Sequence, residues 1–321
     1  MCVKSQTNNP QYRVAKTIHL QGDGGWDYLS VDEPGGRLFV SHGTQVNVVN
    51  LAKGEQLAVI PDTKGVHGIA IANDLNKAFI SNGKDSSVSI INLKDLMLIT
   101  KIFVTGANPD AILYDQFTHR VFTFNGRGKN STVIDAIDNK VIGTITLSGK
   151  PEFSQTDGKG KIFVNIEDKN SIALINAKTM RVDAEWPIKP GDEPSGLALD
   201  KENNRLFSVC SNSIMVVTNA LTGKVITTVP IGSRCDGVAF DPASKRIFSS
   251  NGEGTITVIQ QESADSYKVL ETLSTQAGAR TIAVDKTTHH LYVSCGEYEP
   301  GEGRRPVKPG TFVVLEIEPV K

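Results

Sequence analysis

Residues 66–72 read VHGIAIA, and segments with the same pattern, a polar second position before alternating apolar residues, occur seven times along the chain. The other six are WDYLSVD from Trp26, PDAILYD from Pro109, PEFSQTD from Pro151, PSGLALD from Pro194, CDGVAFD from Cys235 and ARTIAVD from Ala279. Their first residues lie 40, 43, 42, 43, 41 and 44 positions apart. A period this regular indicates a repeat protein.

Each repeat continues with further strand patterns that are separated by turns. In the second repeat they are KAFISNG from Lys77, SVSIINL from Ser87 and LITKIFV from Leu98. Four short strands per repeat are typical of a propeller blade, so the chain is predicted to be an all-β, seven-bladed β-propeller of four-stranded antiparallel blades.

The last repeat lacks a fourth strand, and the segment from Tyr12 to Leu20 has the pattern that would supply it. We therefore expect the N-terminal strand to join the last blade and to close the ring, which leaves no unpaired radial edge. The expected organisation is a flexible tether over residues 1–10 and a single propeller domain over residues 11–321.

Composition excludes several classes of partner. The chain has 34 basic and 35 acidic residues among 321, so its formal net charge of -1 provides no basic field for nucleic acid. No apolar stretch approaches the roughly 18 residues that a membrane-spanning helix needs. We expect a monomer whose partner is a small polar molecule or another protein.

The four cysteines form neither a disulfide framework nor a CxxC metal motif. Cys2 follows the first Met and precedes a polar stretch without periodicity, which suits a lipid anchor. Two interpretations remain open. The chain is a periplasmic or cell-envelope lipoprotein whose signal has been removed, or it is a cytoplasmic protein.

The units LFVSHG-TQVNVVNL and AFISNGKDSSVSIINL, followed by VTGANPDAI, resemble the YVTN repeat of YncE-like bacterial β-propellers. The resemblance extends from about Tyr12 to Ile317. It implies the propeller fold and says little about activity, because similar propellers serve as binding modules, as subunits of amine dehydrogenases, and as lactonase or lyase enzymes.

The second residues of the seven segments should meet at one mouth of the central channel, because all first strands begin there. They are Asp27, His67, Asp110, Glu152, Ser195, Asp236 and Arg280. The ends of the second strands should open on the same side and contribute His42, Asn82, Asn125, Glu167, Cys210, Asn251 and Cys295. Carboxylates this close should raise one another's pKa and attract a cation, although polar groups can also simply hydrate a channel.

The preferred hypothesis is that this face binds a small polar ligand or a partner. The predicted binding residues are Asp27, His42, His67, Asp110, Glu152, Glu167, Asp236 and Arg280, with Tyr298 and Arg304 of the long loop 296–310 covering the ligand.

An alternative is a hydrolase, lyase or isomerase that acts on a sugar-like or lactone-like substrate. Its catalytic groups would be Asp110, Glu152 and Asp236, with His67 as proton carrier. A divalent metal held by Asp27, His42 and His67 would assist such chemistry. A third hypothesis is a protein-interaction module of the cell envelope, which should expose an apolar patch on its rim.

Overall fold

The computed structural model describes residues 11–301 and 306–320. Their strands form seven four-stranded antiparallel sheets, with two 3₁₀ turns at Asn73–Leu75 and Glu167–Lys169. The fold is a seven-bladed β-propeller, as the repeat predicts. The proposed tether over residues 1–10, including Cys2, lies outside the described residues.

The first six blades each consist of four strands that are consecutive in the chain. Blades 1 to 3 contain β2 (Trp26–Asp32), β3 (Arg37–His42), β4 (Gln45–Asn50) and β5 (Glu55–Ile60); β6 (Val66–Ala72), β7 (Lys77–Asn82), β8 (Ser87–Asn92) and β9 (Leu98–Phe103); and β10 (Pro109–Asp115), β11 (Arg120–Asn125), β12 (Asn130–Asp135) and β13 (Lys140–Thr146). Blades 4 to 6 contain β14 (Pro151–Thr156), β15 (Lys161–Ile166), β16 (Ser171–Asn176) and β17 (Arg181–Pro187); β18 (Pro194–Asp200), β19 (Arg205–Cys210), β20 (Ile214–Asn219) and β21 (Val225–Pro230); and β22 (Cys235–Asp241), β23 (Arg246–Asn251), β24 (Thr255–Ser263) and β25 (Ser266–Ser274).

Blade 7 combines the two ends of the described chain. Its strands are β26 (Ile282–Val284), β27 (Leu291–Cys295), β28 (Val313–Pro319) and, outermost, β1 (Tyr12–His19). The strand β1 pairs antiparallel with β28, from Tyr12 opposite Pro319 to His19 opposite Val313. The buried ring of Tyr12 also meets Phe248 of blade 6 edge to face, at 5.1 Å between centroids.

The core lies between neighbouring blades, because alternate residues of each strand project from opposite faces of its sheet. One apolar cluster joins Phe39 and Val48 of blade 1 to Ile69 and Ile80 of blade 2. Packing of this kind holds the flat sheets around the axis and leaves the strand ends free to form the two faces of the ring.

Basic side chains at the starts of second strands tie one blade to the next. Arg37 donates to the carbonyl of Leu93 at 2.6 Å, and Lys77 donates to that of Ala136 at 2.7 Å. These contacts lie where first strands end, on the face opposite the predicted site. They supply donors to terminal carbonyls that the strand ladder leaves unpaired.

Candidate functional site

A bulge at the start of each first strand positions the predicted site residues in blades 1 to 6. In blade 1, Trp26 lies opposite His42, and regular pairing resumes only at Leu29, so Asp27 and Tyr28 occupy the irregular segment. Bulges change the direction of side chains. The polar second residue can therefore face the channel while the rest of the strand alternates normally.

Hydrogen bonds from a neighbouring blade fix several of these bulges. Ser81 donates to the carbonyl of Asp110 at 2.6 Å, and Ser250 donates in the same way to Arg280 at 2.6 Å. Thr281 donates to the carbonyl of Asp27 at 2.5 Å, between the last and first blades. The positions of these site residues are thus coupled around the ring.

All seven second-position residues line one cavity of about 270 Å³ at this mouth of the channel. The complete lining adds three residues from other positions: Tyr28, Lys150 and Glu167. Five carboxyl groups therefore share the cavity with one imidazole, one ammonium and one guanidinium group.

His67 lies between two carboxyl groups. Its Nδ1 is 2.5 Å from Oδ2 of Asp27 and 3.5 Å from Oδ1 of Asp110. Burial acts to lower the pKa of His67, but the hydrogen bond to Asp27 and the charges of Asp110 and Asp27 outweigh it and raise the pKa to about 9. The imidazole is therefore a cation at neutral pH.

Arg280 occupies the corresponding place on the other side of Asp27. Its guanidinium forms an ion pair with Asp236 and lies 3.5 Å from Oδ1 of Asp27. It also donates to the carbonyl of Trp26 at 3.0 Å. Around the ring, positive groups thus alternate with the carboxylates of blades 1, 3 and 6.

Lys150 forms a third ion-paired group with the two carboxylates of blade 4. Its Nζ lies 2.7 Å from Oε1 of Glu152 and also contacts Glu167. The sequence alignment missed Lys150 because it directly precedes the aligned segment that begins at Pro151. The signal was nevertheless visible, since only one other repeat, at Arg234, has a basic residue at that position.

Several carboxyl groups of this cavity, which we call the funnel, have raised pKa values, as expected for crowded acids. Burial and the charge of Asp27 raise the pKa of Asp110 to about 7 against the opposing effect of His67. Burial and the charge of Asp110 likewise raise the pKa of Glu152 to about 8, against Lys150. Burial also raises the pKa of Asp236 although Arg280 opposes it. The basic groups therefore do not fully balance the carboxylates.

Two aromatic rings close the bottom of the funnel. Tyr28 of blade 1 and Phe153 of blade 4 meet with their centroids 5.1 Å apart. Tyr28 also belongs to an apolar cluster with Ala111, Phe124 and Ile166 of blades 3 and 4, so its ring lies across the channel.

The second-strand ends contribute less to the site than expected. The side chains of Asn82, Asn125 and Asn251 are buried and donate to Ser or Thr residues of their own blades. Cys210 and Cys295 are also buried within the blades. These positions face the sheet interior, because the residue opposite each first-strand start points away from the axis.

His42 likewise lies inside the blade and not in the cavity. It is 1% exposed and stacks on Phe312, with centroids 3.9 Å apart. Its two ring nitrogens have no hydrogen-bond partner among the described residues, and burial lowers its pKa.

Glu167 does line the cavity because it follows the second strand by one residue. Strand pairing places Ile166, and not Glu167, opposite Pro151. The sequence alignment was therefore one residue out of register in this blade. The matching position in five other blades is glycine. In blade 2 this position also borders the cavity, because a Cβ on Gly83 would lie 2.6 Å from Nε2 of His67.

The potential metal ligands differ from the predicted set. Among the described residues, Asp27, His67 and Asp110 bring three ligand atoms within 4.8 Å of one another, and His42 is not part of this group. The present geometry suits a shared proton, because Nδ1 of His67 is only 2.5 Å from Asp27.

In the long loop of blade 7, the described segments on its two sides pair with each other beside the mouth of the funnel. Tyr298 pairs with Val307, and its ring lies 5.7 Å from that of Trp26. Tyr298 is 40% exposed and is not part of the cavity lining. Arg304, the other predicted covering residue, lies outside the described residues.

Cys235 has the environment of a structural thiol. It is buried and donates to the carbonyl of Cys210 at 3.1 Å. Burial and the charge of Asp236 raise its pKa to about 12, which keeps the thiolate form scarce at neutral pH.

The outer rim carries an apolar patch at blade 2. Met97, Leu98, Ile99 and Phe103, on or beside the outer strand β9, are 66%, 56%, 44% and 74% exposed. This is the kind of surface that an interaction module requires. Within the described residues, no helix is both long and apolar enough to cross a bilayer.

Comparison with known proteins finds one distant sequence similarity and many structures of the same fold. No protein-family model matches the chain. The uncharacterized protein YncE of Salmonella typhimurium is 23% identical over 222 residues, which cover 68% of this chain and 51% of that protein. The matched region thus spans about half the length of the curated relative.

Solved structures share the architecture at low sequence identity. A chain of the mitotic checkpoint complex superposes with a TM-score of 0.77 at 14% identity, covering 91% of this chain and 92% of that one. Hydrazine synthase of Kuenenia stuttgartiensis superposes with a TM-score of 0.74 at 17% identity, covering 86% of this chain and 94% of that one. The RRP9 WD40 repeats superpose with a TM-score of 0.81 at 11% identity, covering 95% of this chain and 98% of that one. These likenesses establish the propeller fold alone, with YncE as a distant sequence relative.

Proposed function

We propose that the chain binds a small polar ligand with a positively charged group in the funnel formed by the first-strand starts. One observation carries this proposal: five carboxyl groups and three basic groups, from six different blades, line a single cavity of about 270 Å³. Its volume is close to the lower end of the roughly 300–1,000 Å³ range of ligand sites.

The charges of the funnel favour a cationic group. His67, Lys150 and Arg280 each sit between two carboxylates, so the basic groups are already engaged. The raised pKa values of Asp110 and Glu152 indicate that protons replace the missing counter-charge. A bound cation would take the place of those protons.

Calorimetric titration tests the proposal at pH 7. The probes are propylamine as cation, propionate as anion and propanol as a neutral molecule of similar size. We expect only the amine to bind, with proton release that is visible as a dependence of the heat on the ionisation enthalpy of the buffer. Glu152→Gln should weaken amine binding about tenfold, whereas Glu55→Gln on the exposed outer strand of blade 1 should not change it.

Two outcomes would contradict the proposal. Binding of propionate but not of the amine would assign the funnel to anions. Saturable binding of Zn²⁺ that depends on Asp27, His67 and Asp110, with no binding of organic amines, would make the site a metal centre.

A further inference from the structure

The hydroxyl of Tyr28 is a polar group at the floor of the funnel that the ion-pair network does not use. Tyr28 lines the cavity and is 7% exposed. Among the described residues its hydroxyl has no hydrogen-bond partner, and it is not one of the fully buried unpartnered polar atoms, so it is open to water in the cavity. A hydroxyl that lines a cavity and bonds only to water is free to donate to a ligand that displaces this water.

The direction of this hydroxyl follows from its surroundings. The Tyr28 phenol lines the same cavity as Asp110, Asp27, Glu152 and Asp236, and the charges of these four carboxylates act on it. These carboxylates belong to blades 3, 1, 4 and 6, and only a position near the axis is close to all of them. The hydroxyl therefore points up into the cavity and not into a blade.

The ring below is held firmly enough to present the hydroxyl in one place. The ring of Phe153, from blade 4, packs on the ring of Tyr28 with the two centroids 5.1 Å apart. Ala111 and Phe124 belong to the same apolar cluster. The phenol is un-ionised, and burial and then the charges of the carboxylates raise the pKa of Tyr28 well above its ordinary value. A neutral phenol offers a proton to an acceptor atom of a ligand.

We infer that the ligand of the funnel is a small amino alcohol or amino ether, whose ammonium group meets the carboxylates while its oxygen accepts a hydrogen bond from Tyr28. This inference rests on the proposed function and adds the second recognition element to it. A ligand without the oxygen would displace water from the phenol and offer no hydrogen bond in its place, and sites of this type discriminate against such analogues.

Three matched amines test the inference by calorimetry at pH 7. Ethanolamine has a hydroxyl that both donates and accepts, 2-methoxyethylamine has an oxygen that only accepts, and propylamine replaces the oxygen by carbon. We expect the first two to bind wild-type protein about five- to tenfold more tightly than propylamine, the effect of one hydrogen bond.

The variant Tyr28→Phe removes the donor and keeps the ring. It should bind ethanolamine and 2-methoxyethylamine about five- to tenfold more weakly while its affinity for propylamine stays unchanged. Tyr114→Phe, on the opposite face, is the matched control and should bind all three amines as wild type does. If Tyr28→Phe does not fold, the comparison of the three amines on wild-type protein decides alone.

The results separate this inference from the proposed function. Equal wild-type affinities for ethanolamine and propylamine, or an equal loss of both in Tyr28→Phe, would overturn the role of Tyr28 and leave amine binding intact. Tight binding of ethanolamine but not of 2-methoxyethylamine would show that the ligand oxygen donates, which also overturns it. Failure of all three amines to bind would overturn both.

Discussion

His67 places its Nδ1 2.5 Å from Oδ2 of Asp27, so that a side chain of blade 2 neutralises one of blade 1 at the mouth of the channel. This ion pair is part of a sequence of alternating charges that continues through Arg280 to Asp236. The funnel therefore has defined positions for positive and negative groups, and its charge depends on pH.

The ion pair of His67 should make stability depend on pH above neutrality. The folded-state pKa of about 9 exceeds the ordinary value of 6.5, so the stabilisation is complete below pH 6.5 and is lost as pH rises through about 9. His67→Asn should remove at most about 3 kcal/mol of this dependence. Urea denaturation at several pH values measures it, with the exposed His19→Asn as control. An unchanged slope in His67→Asn would contradict the assignment.

Glu152→Gln should stabilise the protein in alkaline solution. Because the folded-state pKa of Glu152 is raised to about 8, the folded protein holds a proton that the unfolded chain releases near pH 4.5. Wild-type stability therefore falls as pH rises from about 4.5 through 8, and glutamine does not titrate. We expect the variant to gain at most about 4 kcal/mol relative to wild type between pH 5 and pH 8.5, in thermal or urea unfolding. A gain that is the same at both pH values would argue against the raised pKa.

The contact between the rings of Tyr28 and Phe153 should be important for stability. Phe153→Ala removes most of the ring that supports Tyr28 across the channel, and we expect it to lower the free energy of unfolding by about 2–3 kcal/mol. Phe153→Leu keeps much of the apolar volume and should cost less than half as much. Equal stability of the alanine variant and wild type would mean that the two rings do not brace each other.

His42 should limit stability in acid. Burial lowers its folded-state pKa below that of the unfolded chain, so stability is present above pH 6.5 and is lost as pH falls. Asparagine occupies the equivalent position in blades 2, 3 and 6. His42→Asn should therefore lose less melting temperature than wild type between pH 7 and pH 5. A steeper loss in the variant would contradict this explanation.

The apolar patch on β9 should govern solubility and not folding. Leu98→Thr combined with Phe103→Thr replaces exposed side chains, so the free energy of unfolding should change by less than about 0.5 kcal/mol. Concentration-dependent light scattering should decrease. A large loss of stability would show instead that the patch packs within the folded chain.

The repeat was sufficient to predict the blades and the seven second-position residues of the funnel, because the period places equivalent residues at equivalent heights around the axis. It did not predict the orientation of His42, since the residue opposite a first-strand start faces the sheet interior. Glu167 was found only through an alignment shifted by one residue. In a strand such a shift exchanges the two faces.

Residues that break the repeat were the hardest to predict. Tyr28 lines the floor of the funnel and its ring contacts Phe153, and this contact joins blades 1 and 4, which no periodic pattern relates. Lys150 lies just outside the aligned segment, so a comparison of aligned columns did not include it. Functional groups are expected where local consistency fails.

The pairing of β1 with β28 has a consequence for how the protein is made. Translation delivers β1 before blades 1 to 6 and β28 after them, so the nascent polypeptide carries an unpaired strand edge while those blades are synthesised. Until β28 has emerged from the ribosome, this edge is open to proteases and to the wrong strands. Blade 7 can therefore be completed only after blades 1 to 6 have been synthesised, whatever the order in which those blades assemble.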